Sequence, residues 1–509
     1  MMAQVMFSLL TGLLVSSVMG ALVNPLGEKP RRPTLFVGMS GLAWWLTFFA
    51  VACLISQRPY FSVTLVVVLH GILLLINYSK YTSLKEPFVL QDFEYFVDML
   101  RHPRLYIPFF GVFKTLFLIV AGIAAIALYF YYEPPLNRVL PQWWLVPVGA
   151  FGVAYLAALL AWKIRPQLSY EPIPDIQITG LVALMHAHLA EYRVAAHKEI
   201  AGPANTWPLF DTAKPLPHLV MVQSESFFDP RPFYPFIKPS VLENWDCHSQ
   251  MSDAGGRLNV PAWGANTVRT EAAVLTGLSQ EALGIYRYNP YRRLVKKPVA
   301  SLASHLRKQG YKTICVHPYP AHFYLRHQVM PALGFDYFID IRAFSSAERS
   351  GQYIGDKVVA HKVEELLAAA QEPLFIFVIT MENHGPLQLE QPKSDTDVYN
   401  DPPTGPVRDL TVYLQHLKNA DQMLSQITSA LKTTSREGSL CWYGDHVPIM
   451  PDVYRCWGEP EAQTPWMVWS TNTKQHVSTQ AKEQAKNQTL SAEGLAHYWL
   501  DIVKRNDRI

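Results

Sequence analysis

Hydrophobic positions follow one pattern in the first third of the chain and another in the rest. Through residue 163, long apolar runs at 5–23, 35–55, 61–77, 115–132 and 143–162 are separated by polar loops. A helix crossing a bilayer needs about 20 apolar residues. Five such runs in succession predict a bundle of five membrane-spanning helices. The first run opens with Met1-Met2-Ala3-Gln4. It lacks the basic side chain of a signal peptide and reads as a retained helix.

Beyond residue 163 the pattern changes. Segment 165–211 is polar, with helical periodicity over 178–194, and reads as a linker helix. Short apolar runs at 219–223, 312–316, 374–380, 440–443 and 466–470 then predict strands. Amphipathic stretches at 267–275, 299–308, 356–370, 407–431 and 492–503 predict helices. Strands separated by helices imply an α/β domain built on a mainly parallel sheet covered on both faces. The polar, Pro-rich stretch 391–406 reads as a surface loop. The resulting map is a transmembrane domain over 1–165, a linker region over 166–214 and a catalytic domain over 215–509.

Composition narrows the picture. Half of the 509 residues are hydrophobic and 17% are charged, an apolar balance for an enzyme. A net charge of +3 gives no footprint for nucleic acid. Five cysteines without a CxxC spacing exclude a zinc knuckle and a redox pair. Cys247, Cys315, Cys441 and Cys456 are expected as two disulfides or four buried thiols.

Sites in open α/β sheets form at the carboxyl ends of strands. Glu225, His317, Glu382, His384, Asp445 and His446 all fall just after apolar runs. Glu225, Asp445 and His446 offer two carboxylates and one imidazole, a mixed donor set suited to one divalent zinc or manganese ion. Thr267, following Gly264-Ala265-Asn266, opens a predicted helix whose amino terminus favours an anion. A threonine hydroxyl is a weak nucleophile until a cation lowers its pKa. Together these residues predict a metal-activated Thr267 that attacks phosphorus and gives a phosphothreonine intermediate. On its own Thr267 reads as a helix cap, and Thr270 is a rival nucleophile. His384 is placed to bind phosphate oxygens or protonate a leaving group. His317, Tyr324 and Arg326 add aromatic surface and a guanidinium fork for phosphate.

The motifs form a set that resembles the lipoteichoic acid synthase-like phosphoglycerol transferases of the alkaline phosphatase/sulfatase superfamily. Ser224-Glu225-Ser226 is similar to the first metal-ligand motif. Thr267-Val268-Arg269-Thr270-Glu271 matches the spacing around the catalytic threonine, which falls on Thr267. Tyr324-Leu325-Arg326, Asn383-His384-Gly385-Pro386 and Gly444-Asp445-His446 resemble the head-group, substrate-histidine and last metal-ligand segments. Asn77-Tyr78-Ser79-Lys80 with Glu86-Pro87 and Asp92 is similar to the segment after the third helix. The resemblance implies five helices followed by a sulfatase-like domain. It also implies a phospholipid donor, a glycan or lipid-linked acceptor and one metal ion. Tyr324 stands where these synthases usually carry tryptophan. Phosphoethanolamine transfer and phosphodiester hydrolysis are therefore the alternatives.

Orientation receives two contrary readings. Lys29, Arg31, Arg32, Lys80, Lys85, Arg101 and Arg104 fill the first and third loops, while the second and fourth hold only Arg58 and Arg138. The basic-loop rule alone puts the carboxyl-terminal domain in the cytoplasm. The resemblance implies a cytoplasmic (inner) membrane protein whose catalytic domain lies on the extracytoplasmic side, with the third-loop bases facing anionic lipid.

Overall fold

The computed structural model describes residues 2–22, 34–95, 112–196, 199–200, 207–297, 299–393, 397–401, 403–472, 485 and 487–507. It divides into two compact units, Met1–Glu199 and Ile200–Ile509.

The first unit is helical: Met2–Leu22, Leu35–Ser56, Pro59–Leu84, Val112–Tyr132, Leu145–Lys163 and Pro172–Ala195. Three of these, Leu35–Ser56, Pro59–Leu84 and Leu145–Lys163, are long and apolar enough among the described residues to cross a membrane. Trp45, Phe49, Cys53, Val66 and Leu136 form a core between them. Phe48, Val51, Ile55, Val68, Leu75 and Leu156 face outward, as a helix surrounded by lipid requires. The expected third run, 61–77, is too short because the helix continues through polar residues to Leu84. The segment after it closes on itself. The Lys80 ammonium lies 2.7 Å from the Asp92 carboxylate, and the Asn77 side chain accepts from the Phe88 amide at 2.8 Å. Residues 96–103 of that loop lie outside the described residues. The linker helix Pro172–Ala195 bends at Gly180, where φ is 68°.

The second unit is an eight-stranded sheet of β1 (His218–Ser224), β2 (Ala254–Asn259), β3 (Lys312–Val316), β4 (Tyr337–Ile339), β7 (Leu374–Ile379), β8 (Gly438–Gly444), β9 (Gln463–Ser470) and β10 (Gln488–Ser491). Strands β5 (Arg349–Ser350) and β6 (Tyr353–Ile354) form a separate ribbon. The sheet order is β10-β2-β9-β8-β1-β7-β3-β4. Only β9 runs against its neighbours. Side chains on a strand alternate between faces, so β1 is buried on both sides. Val220 and Val222 pack with Trp442, Val378, Leu417 and Leu424 on one face. Leu219 and Met221 pack with Phe377, Tyr443, Val268 and Trp499 on the other. The five expected strands are present; β2, β4 and β10 are additional, short or mixed in polarity. All five cysteines are free, and Cys247 and Cys456 are exposed. Neither expected arrangement, two disulfides or four buried thiols, is present.

Candidate active site

Central strands β1 and β8 are parallel neighbours paired from His218–Gly438 to Ser224–Gly444. Their carboxyl ends therefore release Glu225 and Asp445-His446 side by side. Glu225, Asp445 and His446 each offer an atom, all within 4.8 Å of one another, and all three residues are buried. The His446 Nε2 atom lies 3.4 Å from Glu225 Oε1 and 3.3 Å from Asp445 Oδ2. The helix Thr267–Thr276 brings Thr267 Oγ1 to 3.5 Å from the same Nε2. Three distant stretches of sequence thus meet at one point.

The donor set fits a divalent cation. Asp445 Oδ1 accepts from the Ser226 amide at 2.8 Å and the His446 amide at 3.0 Å. Its Oδ2 is buried with no hydrogen-bond partner, a state that needs a further ligand. Burial and the nearby Asp445 charge push the Glu225 carboxyl above the ordinary range, as expected where two buried carboxylates meet without a counter-charge. His446 Nδ1 lies 3.1 Å from the Val447 carbonyl. Donating there leaves a lone pair on Nε2 toward the cluster. Glu225, Asp445, His446 and the Thr267 hydroxyl would hold the ion.

Thr270 is removed as a nucleophile by its own hydrogen bond. Its hydroxyl donates to the Asp445 carbonyl at 2.9 Å, which braces the ligand loop.

The substrate-side residues form a second layer. Arg326 is buried and ion-paired with Glu271, one helical turn beyond Thr267. Its Nη1 donates to His317 Nε2 at 3.1 Å, and His317 Nδ1 donates to the Ile379 carbonyl at 3.1 Å. Burial, reinforced by the Arg326 charge, holds His317 well below the ordinary imidazole range. Both nitrogens of His317 are engaged, so its contact is with Arg326. The Arg326 guanidinium lies 5.3 Å from the centre of the Tyr324 ring. His384 Nδ1 donates to the Gly385 carbonyl at 2.7 Å, and burial lowers its pKa. Neutral His384 therefore presents Nε2 as an acceptor, not the proton donor expected for a leaving group. Beside it, Asn383 is buried with neither amide atom hydrogen-bonded. Glu382 stays outside the cluster: it accepts from the Asp356 amide at 2.6 Å and from Asn419 at 2.5 Å.

Backbone strain marks the same places. Non-glycine residues with positive φ in this unit are Ser226, Asn266, Tyr324 and Leu325, among the described residues. They adjoin Glu225, Thr267 and Arg326. The Tyr413 hydroxyl donates to the Ser226 carbonyl at 2.9 Å and supports that turn. Sequence reasoning missed Glu271, Tyr291 and Tyr413 as partners of the site. The i,i+4 spacing of Thr267 and Glu271 was a usable signal for one of them.

A family model described as Sulfatase matches residues 217–504, more than half of the chain. The chain belongs to the sulfatase family. The sulfatase domain so defined begins one residue before β1 and takes in every site residue above. Among curated proteins, a putative cyclic beta-1,2-glucan modification protein of Rhizobium meliloti is 28% identical over 315 residues. That match covers 58% of this chain and 48% of the relative, so the chain spans about half of that protein's length. The capsular polysaccharide biosynthesis protein RkpI of the same organism is 28% identical over 465 residues, 84% of this chain and 78% of the relative. Lipoteichoic acid synthase of Staphylococcus aureus is 28% identical over 149 residues, 28% of this chain and 22% of that protein. The likeness to the lipoteichoic acid synthase group holds at this level. Among solved structures, the lipooligosaccharide phosphoethanolamine transferase A of Neisseria meningitidis, an integral membrane protein, is 12% identical. It has a TM-score of 0.54 and is covered over 92% of this chain and 95% of that one. This likeness is one of fold: apolar helices followed by a sulfatase-type sheet domain.

Proposed function

We propose that the protein is a membrane-bound transferase. It moves a phosphoglycerol head group from phosphatidylglycerol to a glycan or polymer acceptor through Thr267. The observation that carries this reading is the placement of the Thr267 hydroxyl beside a buried Glu225–Asp445–His446 cluster with an unsatisfied carboxylate oxygen. A bound zinc or manganese ion would supply a lowered pKa for that hydroxyl, so that its proton is lost to water at neutral pH. In the first step Thr267 Oγ forms a bond to phosphorus. The bond from phosphorus to the diacylglycerol oxygen breaks, and that oxygen takes a proton from water. In the second step an acceptor hydroxyl attacks phosphorus and frees Thr267. His384 Nε2, carrying a lone pair, takes the acceptor's proton. Arg326 orients the phosphoryl oxygens. The names of the two Rhizobium meliloti relatives support a glycan acceptor. The membrane unit is read as five spans over 1–165, joined by a linker at 166–214 to a catalytic domain over 215–509. That domain is placed outside the inner membrane, where phospholipid and glycan meet.

Mass spectrometry of purified protein incubated with mixed phospholipids tests the proposal. The expected product is a glycerol-phosphate adduct on Thr267 that is absent from Thr267→Ala. A phosphoethanolamine adduct would reassign the head group. Absence of any adduct, with steady release of head group to water, would make the protein a hydrolase.

A further inference from the structure

We infer that Glu271 is the positioning residue of this site. It locks the guanidinium of Arg326 so that a fixed pair of N–H groups faces the phosphoryl oxygens. The inference rests on the transferase reading for its substrate, and on the following geometry for its substance.

An arginine side chain has five N–H donors in a rigid plane. Three are committed here. Arg326 Nε donates to Glu271 Oε2 at 3.1 Å, and Nη2 donates to Glu271 Oε1. Nη1 donates to His317 Nε2 at 3.1 Å. One hydrogen on each terminal nitrogen remains, the pair that bridges two oxygens of a phosphate. The plane cannot rotate without breaking bonds to Glu271 and His317 together. Glu271 is itself fixed. The Tyr291 hydroxyl donates to its Oε2 at 2.5 Å, and Glu271 lies in the helix that begins at Thr267. The nucleophile and the phosphate fork are therefore referenced to one rigid element, a single turn apart.

The backbone on the other side agrees. Tyr324 and Leu325 have φ of 53° and 58°, consecutive left-handed residues directly before Arg326. Ordinary side chains avoid this conformation. It persists here next to a guanidinium held by Glu271, as strained turns do where surrounding contacts over-determine them. Glu271 does not reach the phosphoryl group in this arrangement; it acts through Arg326.

The test uses full-length, detergent-solubilised, manganese-loaded protein, with inorganic phosphate as the probe and calorimetry as the readout. Glu271→Gln is expected to weaken phosphate binding roughly 10–100-fold, the range found when a partner one layer behind a ligating group is removed. In an Arg326→Gln background the same change should add nothing, because residues acting through one another are not additive. Tyr291→Phe removes one hydrogen bond and leaves the ion pair. It should weaken phosphate several-fold, again only while Arg326 is present, and it carries the test if Glu271→Gln fails to fold. Additive losses, unchanged affinity in a folded Glu271→Gln or Tyr291→Phe protein, or no phosphate binding by the wild type would each overturn the inference. The transferase reading is judged apart, by the Thr267 adduct with phospholipid. A wild type that forms no adduct but shows the non-additive phosphate cycle would sink that reading and leave Glu271 in its role.

Discussion

Replacing Asp445 with asparagine separates the fold of this site from its charge. Oδ1 of Asp445 holds two backbone amides, from Ser226 and His446. An amide oxygen can accept both. Oδ2 has no partner, so the new NH2 group lands where a cation's ligand is needed. Metal-free Asp445→Asn should therefore unfold within about 2 °C of metal-free wild type, the scale of a modest surface change in a domain of this size. Metal changes that. An ion present at 100 times its Kd stabilises the folded state by about 2.7 kcal/mol. The second unit, Ile200–Ile509, has roughly 310 residues. At about 2.1 cal/mol/K per residue its unfolding entropy is on the order of 650 cal/mol/K. The ratio gives a shift of about 4 °C. Differential scanning calorimetry with excess manganese, then with chelator, reads this directly. Wild type should drop by about 4 °C on chelation and Asp445→Asn should not move. A variant that keeps the full metal shift would show that Asp445 is not a ligand. A variant that unfolds far below chelated wild type would show that the carboxylate is structural.

Two further outcomes are expected. Thr270→Val removes the hydrogen bond to the Asp445 carbonyl and should cost about 1–2 kcal/mol by urea unfolding, with the adduct still on residue 267; an adduct lost with the fold intact would return Thr270 to the chemistry. Asp356 is buried with both carboxylate oxygens unpartnered, and burial followed by the Glu382 charge raises its pKa well above the ordinary 3.8. The folded state therefore holds a proton that the unfolded chain has released, and its stability falls as pH rises from about 4 toward the folded pKa. Asp356→Asn should gain in Tm relative to wild type across that rise, and a difference that stays flat between pH 4 and pH 8 would refute the argument.

The fold was legible where burial imposes one pattern. Strands β1, β3, β7 and β8 are covered on both faces, so they appear as continuous apolar runs. Strand β2 reads Ala-Gly-Gly-Arg-Leu-Asn, and its place comes from pairing with β9 and β10, information no local window contains. The short helix Arg326–Ala332 was invisible for a similar reason: it carries Pro331 and follows two left-handed residues. The metal set was legible because strand ends converge at the edge of a parallel sheet. The inner partners were not. Tyr291 reads as one aromatic in an Arg-rich stretch, and only the folded chain shows its hydroxyl on Glu271. His317 was assigned to substrate on chemistry alone; its two engaged nitrogens turn it toward Arg326.

The strained residues explain why local rules fail where they do. A non-glycine residue at positive φ costs roughly 1–3 kcal/mol, so Ser226, Asn266, Tyr324 and Leu325 together carry a cost comparable to the net stability of a domain, about 5–15 kcal/mol. Such turns survive only where tertiary contacts outweigh them. Those contacts are the site's own: Asp445 on the Ser226 amide, Tyr413 on the Ser226 carbonyl and Glu271 on Arg326. Each strained turn rotates the chain so that its neighbour, Glu225, Thr267 or Arg326, leaves the direction a regular strand or helix would give it. Sequence preference and fold disagree at these positions because the geometry serves the cluster and not the local backbone. The same logic sets a limit on repair. Glycine at 325 would relieve the turn, but it would also free the backbone that aims Arg326, so any gain in stability there should come with looser phosphate binding.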